Sequence, residues 1–330
     1  MEIFIQQIIN GLTTGSVYAL VALGYTMVYG VIQLINFAHG EVVMIGAMVA
    51  FSVITALAGT AAPLPPAAIL LAGVAAAIPA CMAIGYLLER IAYRPLRHAP
   101  RLAPLITAIG MSIILQHLAL LVWSRNPMAF PQIVDNPVFT IGGAAITGVQ
   151  IAIILLSVVL MAALTWFVYR TRFGIAIRAT AENVHVASLM GVDANRVIAA
   201  TFVIAAALAA VAGVMVGTYY GITHYTMGFM LGLKAFSAAV LGGIGNLAGA
   251  MLGGILLGLV EALGAGYIGD LTDICKWPLM KEAVAERCAA DGHLILMGSN
   301  YQDVFAFLVL IAVLVFRPSG LLGERVSERA

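Results

Sequence analysis

Long stretches without charged side chains constrain the fold of this chain more than any other feature of its sequence. Residues 149–169 contain no Asp, Glu, Lys, Arg or His, and about 20 mostly apolar residues suffice for a helix to cross a bilayer. Hydrophobic residues make up 62% of the chain and charged residues 9%, against roughly 45–50% and 25% in soluble proteins. Such a chain cannot cover a water-facing surface with polar groups, so the sequence predicts a polytopic membrane protein.

We interpret residues 1–330 as a single all-α transmembrane domain. Its apolar runs predict about eight to nine transmembrane or re-entrant helices. Two runs near the end are short or interrupted by glycine, and they are either full helices or a re-entrant pair. The runs lie at residues 5–31, 38–58, 67–89, 103–123, 149–169, 196–218, 229–243, 248–266 and 300–317.

The basic residues are concentrated in three segments, which sets the expected orientation. Because cytoplasmic loops carry the excess of Lys and Arg, these segments are predicted to be cytoplasmic and the N-terminus outside. Residues 124–148, 219–228 and 267–299 then lie on the outer side. Eleven of the sixteen basic residues define the segments: Arg90, Arg94, Arg97, Arg101, Arg170, Arg172, Arg178, Arg196, Arg317, Arg325 and Arg329.

The sequence contains no motif of a common enzyme or metal site. GxSxG, HExxH, Walker A and GxGxxG are absent, and the six histidines lack metal spacing. Three cysteines without a CxxC pair exclude a zinc scaffold, and a net charge of +1 gives no indication of nucleic acid. We therefore expect no enzymatic activity, no cofactor and no nucleic-acid partner.

Polar residues within the apolar runs are the first candidates for a functional site, because they are costly in hydrocarbon and usually face a cavity or the bundle interior. For Asn36, His39 and Glu41 we favour a role in a solute path, since they lie at the start of a helix whose N–H groups point towards a polar solute. For Lys234 and Glu261 we favour a structural role, as a buried pair or by snorkelling to the interface, and Lys234 is also a candidate for the path.

The partner of Lys234 is expected to be Glu261 or Glu41. Counted from a turn near residue 244 at about 1.5 Å per residue, Lys234 lies roughly 15 Å along its helix and Glu261 roughly 25 Å along the next one. This mismatch weakens the pairing with Glu261.

Residues 36–41 and 246–251 form a degenerate repeat, because each segment begins with Asn and enters a helix rich in Gly and Ala. Paired interruptions of this kind indicate a transport path built from broken helices, which adds Asn246 to the candidates. Chance similarity in a chain rich in Gly and Ala is the alternative. The glycines at 245, 249, 253, 254 and 258 predict a close helix–helix contact, within the chain or between subunits.

Two polar segments lie between the runs. Residues 178–196 are too polar to span a membrane, and a helix over 180–192 fits either an interfacial helix or a docking helix for a cytoplasmic partner. Residues 267–300 form an outer loop containing Cys275 and Cys288. A disulfide between these cysteines is permitted in an oxidising compartment, and residues 276–290 are predicted to form a short helix with Leu279, Val284 and Cys288 towards the membrane.

Several strings resemble the H-type permease subunits of ABC importers for branched-chain amino acids. The most specific are INFAHGE within 11–47 and KAFSAAVLGGIG within 232–263, and further matches lie at 89–97, 105–116 and 178–202. Permeases for urea and short-chain amides are similar over the same stretches. The outer loop is longer than the short linker expected in this family.

The resemblance implies a bacterial inner-membrane subunit that forms half of a translocation path and has no ATPase activity. Its partners would be a related M-type permease, two ATP-binding subunits and a soluble substrate-binding protein outside. Residues 178–196 would be the ATPase coupling segment, with Glu182, Ala187, Ser188 and Gly191 as candidate contacts. Glu182 stands nine residues before Gly191, which departs from the EAA pattern of many importers.

Two other classes of transporter remain open from the residues alone. An ion-coupled secondary carrier would use Glu41, Lys234 or Glu261 as its proton or Na⁺ site. A facilitative channel would need neither ATP nor an ion gradient.

Overall fold

The computed structural model describes residues 2–59, 64–97, 99–100, 102–134, 136–278, 282–297 and 301–323. Within these ranges, seven helices are long and apolar enough to cross a membrane, and two further apolar helices are shorter. The expected all-α polytopic architecture is confirmed. Arg101, Arg325 and Arg329 of the basic segments lie outside the described residues.

The seven long helices are α1 (Glu2–Ile32), α2 (His39–Ala58), α3 (Pro66–Leu87), α4 (Leu102–Val122), α5 (Gly148–Arg170), α8 (Ala194–Tyr220) and α10 (Leu247–Leu271). The shorter helices are α6 (Arg172–Glu182), α7 (Val184–Leu189), α9 (Met227–Gly242), α11 (Ala285–Asp291) and α12 (Gln302–Phe316). α3 continues into a π-helical turn (Leu88–Tyr93) and a 3₁₀ turn (Arg94–Leu96), and a second 3₁₀ turn spans Ile274–Lys276.

Two small antiparallel sheets connect the loops. Strand β1 (Met128–Ala129) pairs with β4 (Ile222–Thr223), and β2 (Val138–Ile141) pairs with β3 (Ala144–Thr147). The β1–β4 pair joins the loop after α4 to the loop after α8, so these two loops lie at the same end of the bundle.

Glycines on two faces of α10 let its backbone approach two neighbouring helices. A Cβ atom on Gly254 would overlap the backbone of Ala19 in α1, and one on Gly253 would overlap the carbonyl of Ala238 in α9. Close backbone approach is a main source of helix association in lipid, where burial of apolar surface gains little. The contact expected from the glycine spacing is therefore made within the chain.

The basic segments described by the structure lie at one end of the bundle. Arg97 after α3 donates a hydrogen bond to Asn195 at the start of α8, with an Nη1–Oδ1 distance of 2.6 Å. The C-terminal tail, residues 317–323, lies against the turn between α9 and α10, because the Leu321 N–H donates a hydrogen bond to the Leu241 carbonyl at 2.9 Å. We call this end, formed by residues 88–97, 170–196, 241–247 and 317–323, the basic face.

The direction of α1 and α10 shows that the tail belongs to this same end. Gln6 at the start of α1 bonds to the Ala145 carbonyl, just before α5, with an Nε2–O distance of 3.0 Å. α5 runs from there to Arg170 at the basic face, so α1 starts at the other end, which we call the opposite face. α10 is antiparallel to α1, since Gly11 faces Leu259 and Gly15 faces Ile255. α10 therefore starts at the basic face.

The single helix predicted over residues 180–192 is wrong, because the segment contains two helices. Asn183 has an extended backbone with φ −156° and ψ 108°, and its side chain accepts the Val186 N–H to cap α7. Asn often offers the backbone such a bond in place of continued helix. Gly191, with φ +87°, supports the turn that follows α7.

Candidate functional site

The path candidates Asn36, His39 and Glu41 are brought together between α1 and the first turn of α2. All three side chains are buried in the isolated chain, and Glu41 is 0% exposed. The Asn36 Oδ1 atom accepts a hydrogen bond from the Tyr93 hydroxyl at 2.8 Å. We call Asn36, His39 and Glu41, with the partners described here, the Glu41 cluster.

The two oxygen atoms of the Glu41 carboxylate differ in their hydrogen bonds. Oε1 accepts hydrogen bonds from Ser112 Oγ at 3.0 Å and from Gln116 Nε2 at 2.7 Å. Oε2 has no hydrogen-bond partner among the described residues, and it lies beside Gly228 in the first turn of α9. The carboxylate is thus between the first turns of α2 and α9, where the partial positive charge of a helix N-terminus stabilises an anion.

A second buried cluster ties four helices together through Lys234 of α9. The Lys234 Nζ atom lies 2.7 Å from Glu261 Oε1 in α10 and 2.5 Å from Asp303 Oδ1 in α12. The Tyr18 hydroxyl of α1 donates to Glu261 Oε2 at 2.9 Å. We call Tyr18, Lys234, Glu261 and Asp303 the Lys234 cluster.

The prediction that unequal distances along the two helices weaken the pair of Lys234 with Glu261 is therefore wrong. The structure pairs Lys234 with Glu261 and not with Glu41. Distance along two helix axes underestimates the reach of two long side chains on tilted helices. Pairing with Glu261 leaves the lysine buried rather than snorkelling.

A cavity of about 260 Å³ adjoins the Lys234 cluster. Its walls come from the last turns of α8, from β4 and from the first two turns of α9, so it lies towards the opposite face. The lining residues are Tyr18, Val216, Tyr220, Ile222, His224, Met227, Met230, Leu231 and Lys234.

Asn246 lies at the basic face, where it caps α10. Its Oδ1 atom accepts the Gly249 N–H at 3.1 Å, and its Nδ2 atom donates to the Leu322 carbonyl at 2.8 Å. The turns before α2 and before α10 are close to each other, since Ile35 and Ile244 line one narrow cavity. The structure thus gives Asn246 a capping contact, while Asn36 bonds to Tyr93.

The residues expected to couple to an ATPase lie at the basic face on and beside α7. Ala187 is buried, whereas Glu182, Ser188 and Gly191 are exposed. Two apolar side chains of the same segment are also exposed, Leu189 at 74% and Met190 at 80%. An apolar patch on a polar end of the bundle is typical of a protein–protein contact.

The outer loop is closed by a disulfide between Cys275 and Cys288, whose Cα atoms are 5.7 Å apart. The helix predicted over 276–290 is shorter than expected. Trp277 is extended, as residues before proline tend to be, and helix α11 covers only Ala285–Asp291. Leu279 lies outside the described residues.

Asp273 anchors the start of this loop. Its carboxylate accepts hydrogen bonds from His293 Nδ1 at 3.1 Å, from the Cys275 N–H at 3.1 Å and from the Leu294 N–H at 3.2 Å. These bonds, with the one from His293 as the largest effect, lower the pKa of Asp273 below its ordinary value.

Sequence reasoning missed Tyr18, Tyr93, Ser112 and Asp303 as members of the two clusters. The hydroxyl residues give no signal, because Ser and Tyr are common in transmembrane helices. Asp303 does give one, since it is an acidic residue within the last apolar run. Gln116 gives a signal as a polar residue within the fourth apolar run, but its contact with Glu41 depends on how α4 packs against α2.

Comparison with known proteins gives consistent matches over nearly the whole chain. The family described as branched-chain amino acid transport system permease component matches residues 7–314. The chain is 47% identical to the high-affinity branched-chain amino acid transport system permease protein BraD of Pseudomonas aeruginosa, over 99% of this chain and 98% of that protein. It is 44% identical to the corresponding permease protein LivH of Escherichia coli, over 99% and 97%.

A more distant relative is the autoinducer 2 import system permease protein LsrC of Escherichia coli. It is 30% identical, over 49% of this chain and 41% of that protein. No solved structure matches the chain.

Proposed function

The chain belongs to the branched-chain amino acid transport system permease family, and from this premise we propose that it is the permease subunit of an ABC importer for branched-chain amino acids. It forms half of the translocation path in the bacterial inner membrane and is not itself an enzyme. ATP is hydrolysed by partner subunits. The observation that carries this proposal is the 47% identity to a permease of that specificity over nearly the full length of both chains.

The partners follow from the surfaces at the two ends of the bundle. The basic face is cytoplasmic by the distribution of Arg and Lys, and two ATP-binding subunits dock there through residues 178–196. The exposed Leu189 and Met190 side chains support this docking, because apolar side chains of that size are costly in water. A related M-type permease supplies the other half of the path.

The opposite face is extracytoplasmic and receives a soluble substrate-binding protein. The disulfide of the outer loop fits this side, because disulfides persist in oxidising compartments. The loop over residues 267–300 is an insertion of the transmembrane domain that spans 1–330.

The path itself passes the Glu41 and Lys234 clusters. Support comes from their position between helices that start or end within the bundle, and from the unbound Glu41 Oε2 atom. We assign Asn36, His39, Glu41, Lys234 and Asn246 to this path, with Asn246 holding the turn at its cytoplasmic end.

Reconstitution of the complete importer tests the proposed function. Proteoliposomes containing both permeases and the ATP-binding subunits are supplied with the binding protein, and uptake of leucine, isoleucine, valine and urea is measured with and without internal ATP. We expect uptake of the three amino acids that requires both ATP and the binding protein. ATP-independent uptake, driven by an ion gradient or by none, would overturn the proposal, and preferential urea uptake would overturn its substrate.

A further inference from the structure

An ion pair of Glu89 and Arg97 is largely buried at the basic face, and it belongs to neither of the two clusters described above. The Glu89 side chain is 2% exposed and the Arg97 side chain 18%. One Glu89 oxygen, Oε1, accepts a hydrogen bond from Arg97 Nη2. Because a buried ion pair adds little net stability over apolar residues of the same shape, stability alone does not explain why these charges are placed here.

The Arg97 guanidinium group joins this pair to the start of α8. Its Nη1 atom donates to Asn195 Oδ1 at 2.6 Å, while its Nη2 atom binds Glu89. A planar guanidinium group holds two partners in a fixed geometry, which the ammonium group of lysine does not. Asn195 lies within residues 178–196, where the ATP-binding subunits are proposed to dock. The buried pair is therefore in direct contact with the proposed docking segment.

The π-helical turn (Leu88–Tyr93) connects Glu89 to the interior of the bundle. Tyr93, the last residue of this turn, is buried. Its hydroxyl donates to Asn36 Oδ1 at 2.8 Å, and its ring centroid lies 5.2 Å from that of Phe202 in α8. π-Helical turns are rare and are frequently found at functional sites. One short turn thus links the buried ion pair to Asn36.

Asn36 belongs to the turn that starts α2. Its carbonyl accepts the His39 N–H at 3.0 Å, and Glu41 follows in the first turn of this helix. Hydrogen bonds and one helical turn therefore form a continuous connection from the docking segment to the Glu41 cluster. We call the five residues of this connection the Arg97 network: Asn195, Arg97, Glu89, Tyr93 and Asn36.

We propose that the Arg97 network transmits movement of residues 178–196 to the start of α2, with Glu89 and Arg97 as positioning residues for transport. When the ATP-binding subunits move this segment, Asn195 displaces the Arg97 side chain. The charge-assisted bond to Glu89 then moves the π-helical turn, and Asn36 and the start of α2 move with it. This inference rests on the proposed function, because it requires ATP-binding subunits at the basic face.

Arg97→Lys tests the contact with Asn195. Lysine keeps a positive charge beside Glu89 but lacks the guanidinium group that binds both partners. In the reconstituted importer, the ratio of leucine uptake to ATP hydrolysis stimulated by the binding protein should fall about fivefold, a size typical of residues that couple distant sites. Arg94→Lys is the matched control, because Arg94 is exposed on the adjoining 3₁₀ turn, and it should keep the wild-type ratio.

This ratio does not depend on the amount of folded protein, so a loss of abundance leaves the test valid. A wild-type ratio in Arg97→Lys, or the same fall in Arg94→Lys, would overturn the proposal. Failure of the wild-type importer to take up leucine with ATP would instead contradict the proposed function. The two failures are therefore distinguishable.

A double-mutant cycle tests whether the two ends of the network act together. Asn195→Ala removes the bond to Arg97, and Tyr93→Phe removes only the hydroxyl that binds Asn36. Because these two bonds share no residue, independent effects on the ratio would multiply. If both bonds belong to one connection, either break interrupts it, and the double variant should have about the ratio of the more impaired single variant. Multiplied effects, or a wild-type ratio in either single variant, would overturn the proposal.

Tyr86→Phe is the control for loss of a tyrosine hydroxyl from the same helical stretch. The Tyr86 hydroxyl accepts a hydrogen bond from Arg90 Nη1 at 2.6 Å, and both residues are exposed. This bond is outside the Arg97 network, so Tyr86→Phe should keep the wild-type ratio. A fall as large as that of Tyr93→Phe would contradict the role of the bond to Asn36.

Discussion

At the scale of single residues, the Lys234 ammonium group determines how four helices meet. Its contacts with Glu261 and Asp303, and the Tyr18 hydroxyl bound to Glu261, join α1, α9, α10 and α12. A buried ion pair adds little net stability over apolar residues of the same shape, but removal of one partner leaves the other charge uncompensated.

Replacement of this lysine should therefore destabilise the protein strongly. Lys234→Met leaves the buried Glu261 carboxylate and the partly exposed Asp303 carboxylate without their counter-ion, and we expect a loss of about 3–5 kcal/mol in the free energy of unfolding. The measurement is the melting temperature of the purified permease in detergent. Lys276→Met is the control, because Lys276 pairs with Asp270 on the exposed outer loop and its loss should lower the melting temperature far less. Equal shifts for both variants would contradict burial of the Lys234 charge.

We expect the Asp273 carboxylate to hold the outer loop in place until the pH falls below its folded pKa. Its pKa is lowered in the folded protein, chiefly by the hydrogen bond from His293. A carboxyl group with a lowered folded pKa stabilises the fold at pH above its unfolded pKa, about 3.9, and loses this contribution as pH falls through the folded value.

Pepsin, which is active in acid, can test this. We expect the loop over 271–297 to resist cleavage at pH 4 and to become sensitive as the pH is lowered further. In Asp273→Asn the carboxylate is lost at every pH, so the loop should already be cleaved at pH 4. If pepsin cleaved the wild-type loop at pH 4 as fast as the loop of this variant, Asp273 would not be what stabilises the loop.

At the scale of helices and turns, apolar runs predicted the spans well because membrane helices must bury long hydrophobic stretches. The run at 149–169 corresponds to α5, Gly148–Arg170. The polar segments were predicted less well. The break at Asn183 depends on one side chain binding a backbone N–H three residues later, and hydrophobic periodicity carries no information about that bond.

The turn after α7 should couple ATP hydrolysis to transport. Gly191 has φ +87° and open space around its Cα atom, so the backbone conformation, rather than a neighbouring helix within the chain, restricts substitution. Gly191→Arg should abolish leucine uptake while the permease stays in the membrane. Gly191→Asn should retain part of the uptake, because Asn tolerates this conformation better than other residues with a Cβ atom. ATPase association and uptake are measured together, and normal values of both for Gly191→Arg would contradict a coupling role.

At the scale of the whole molecule, the sequence indicated which residues are polar and buried but not which ones meet. Asn36 and Glu41 are five residues apart, yet their partners Tyr93 and Gln116 come from two other parts of the chain. Such contacts depend on helix tilt and rotation, which a single sequence does not specify. The same limitation explains why the Lys234–Glu261 pair was underestimated.

A transport cycle should open the Glu41 cluster to water. Cysteine at position 36 is predicted to be unreactive towards a membrane-impermeant thiol reagent at rest, because Asn36 is buried. It should react when ATP, binding protein and leucine are present. Leu189→Cys, which is exposed in the isolated permease, should react before the ATP-binding subunits are added and serves as the control for access of the reagent. No reaction at position 36 under any condition would favour a purely structural cluster.

The short helices α9 and α12 have a consequence for the surrounding lipid. α9 has 16 residues and α12 has 15, which gives lengths of about 24 and 22 Å, against a hydrocarbon thickness of about 30 Å. α12 exposes Leu308, Ile311 and Val315 at its surface, so on this side the protein matches a thinner bilayer than the long helices do. Lipids with longer acyl chains would have to compress next to α12, at a cost that grows with each ångström of mismatch. The activity of the protein should therefore depend on acyl-chain length. In a host membrane whose lipids have unusually long acyl chains, the activity should be low.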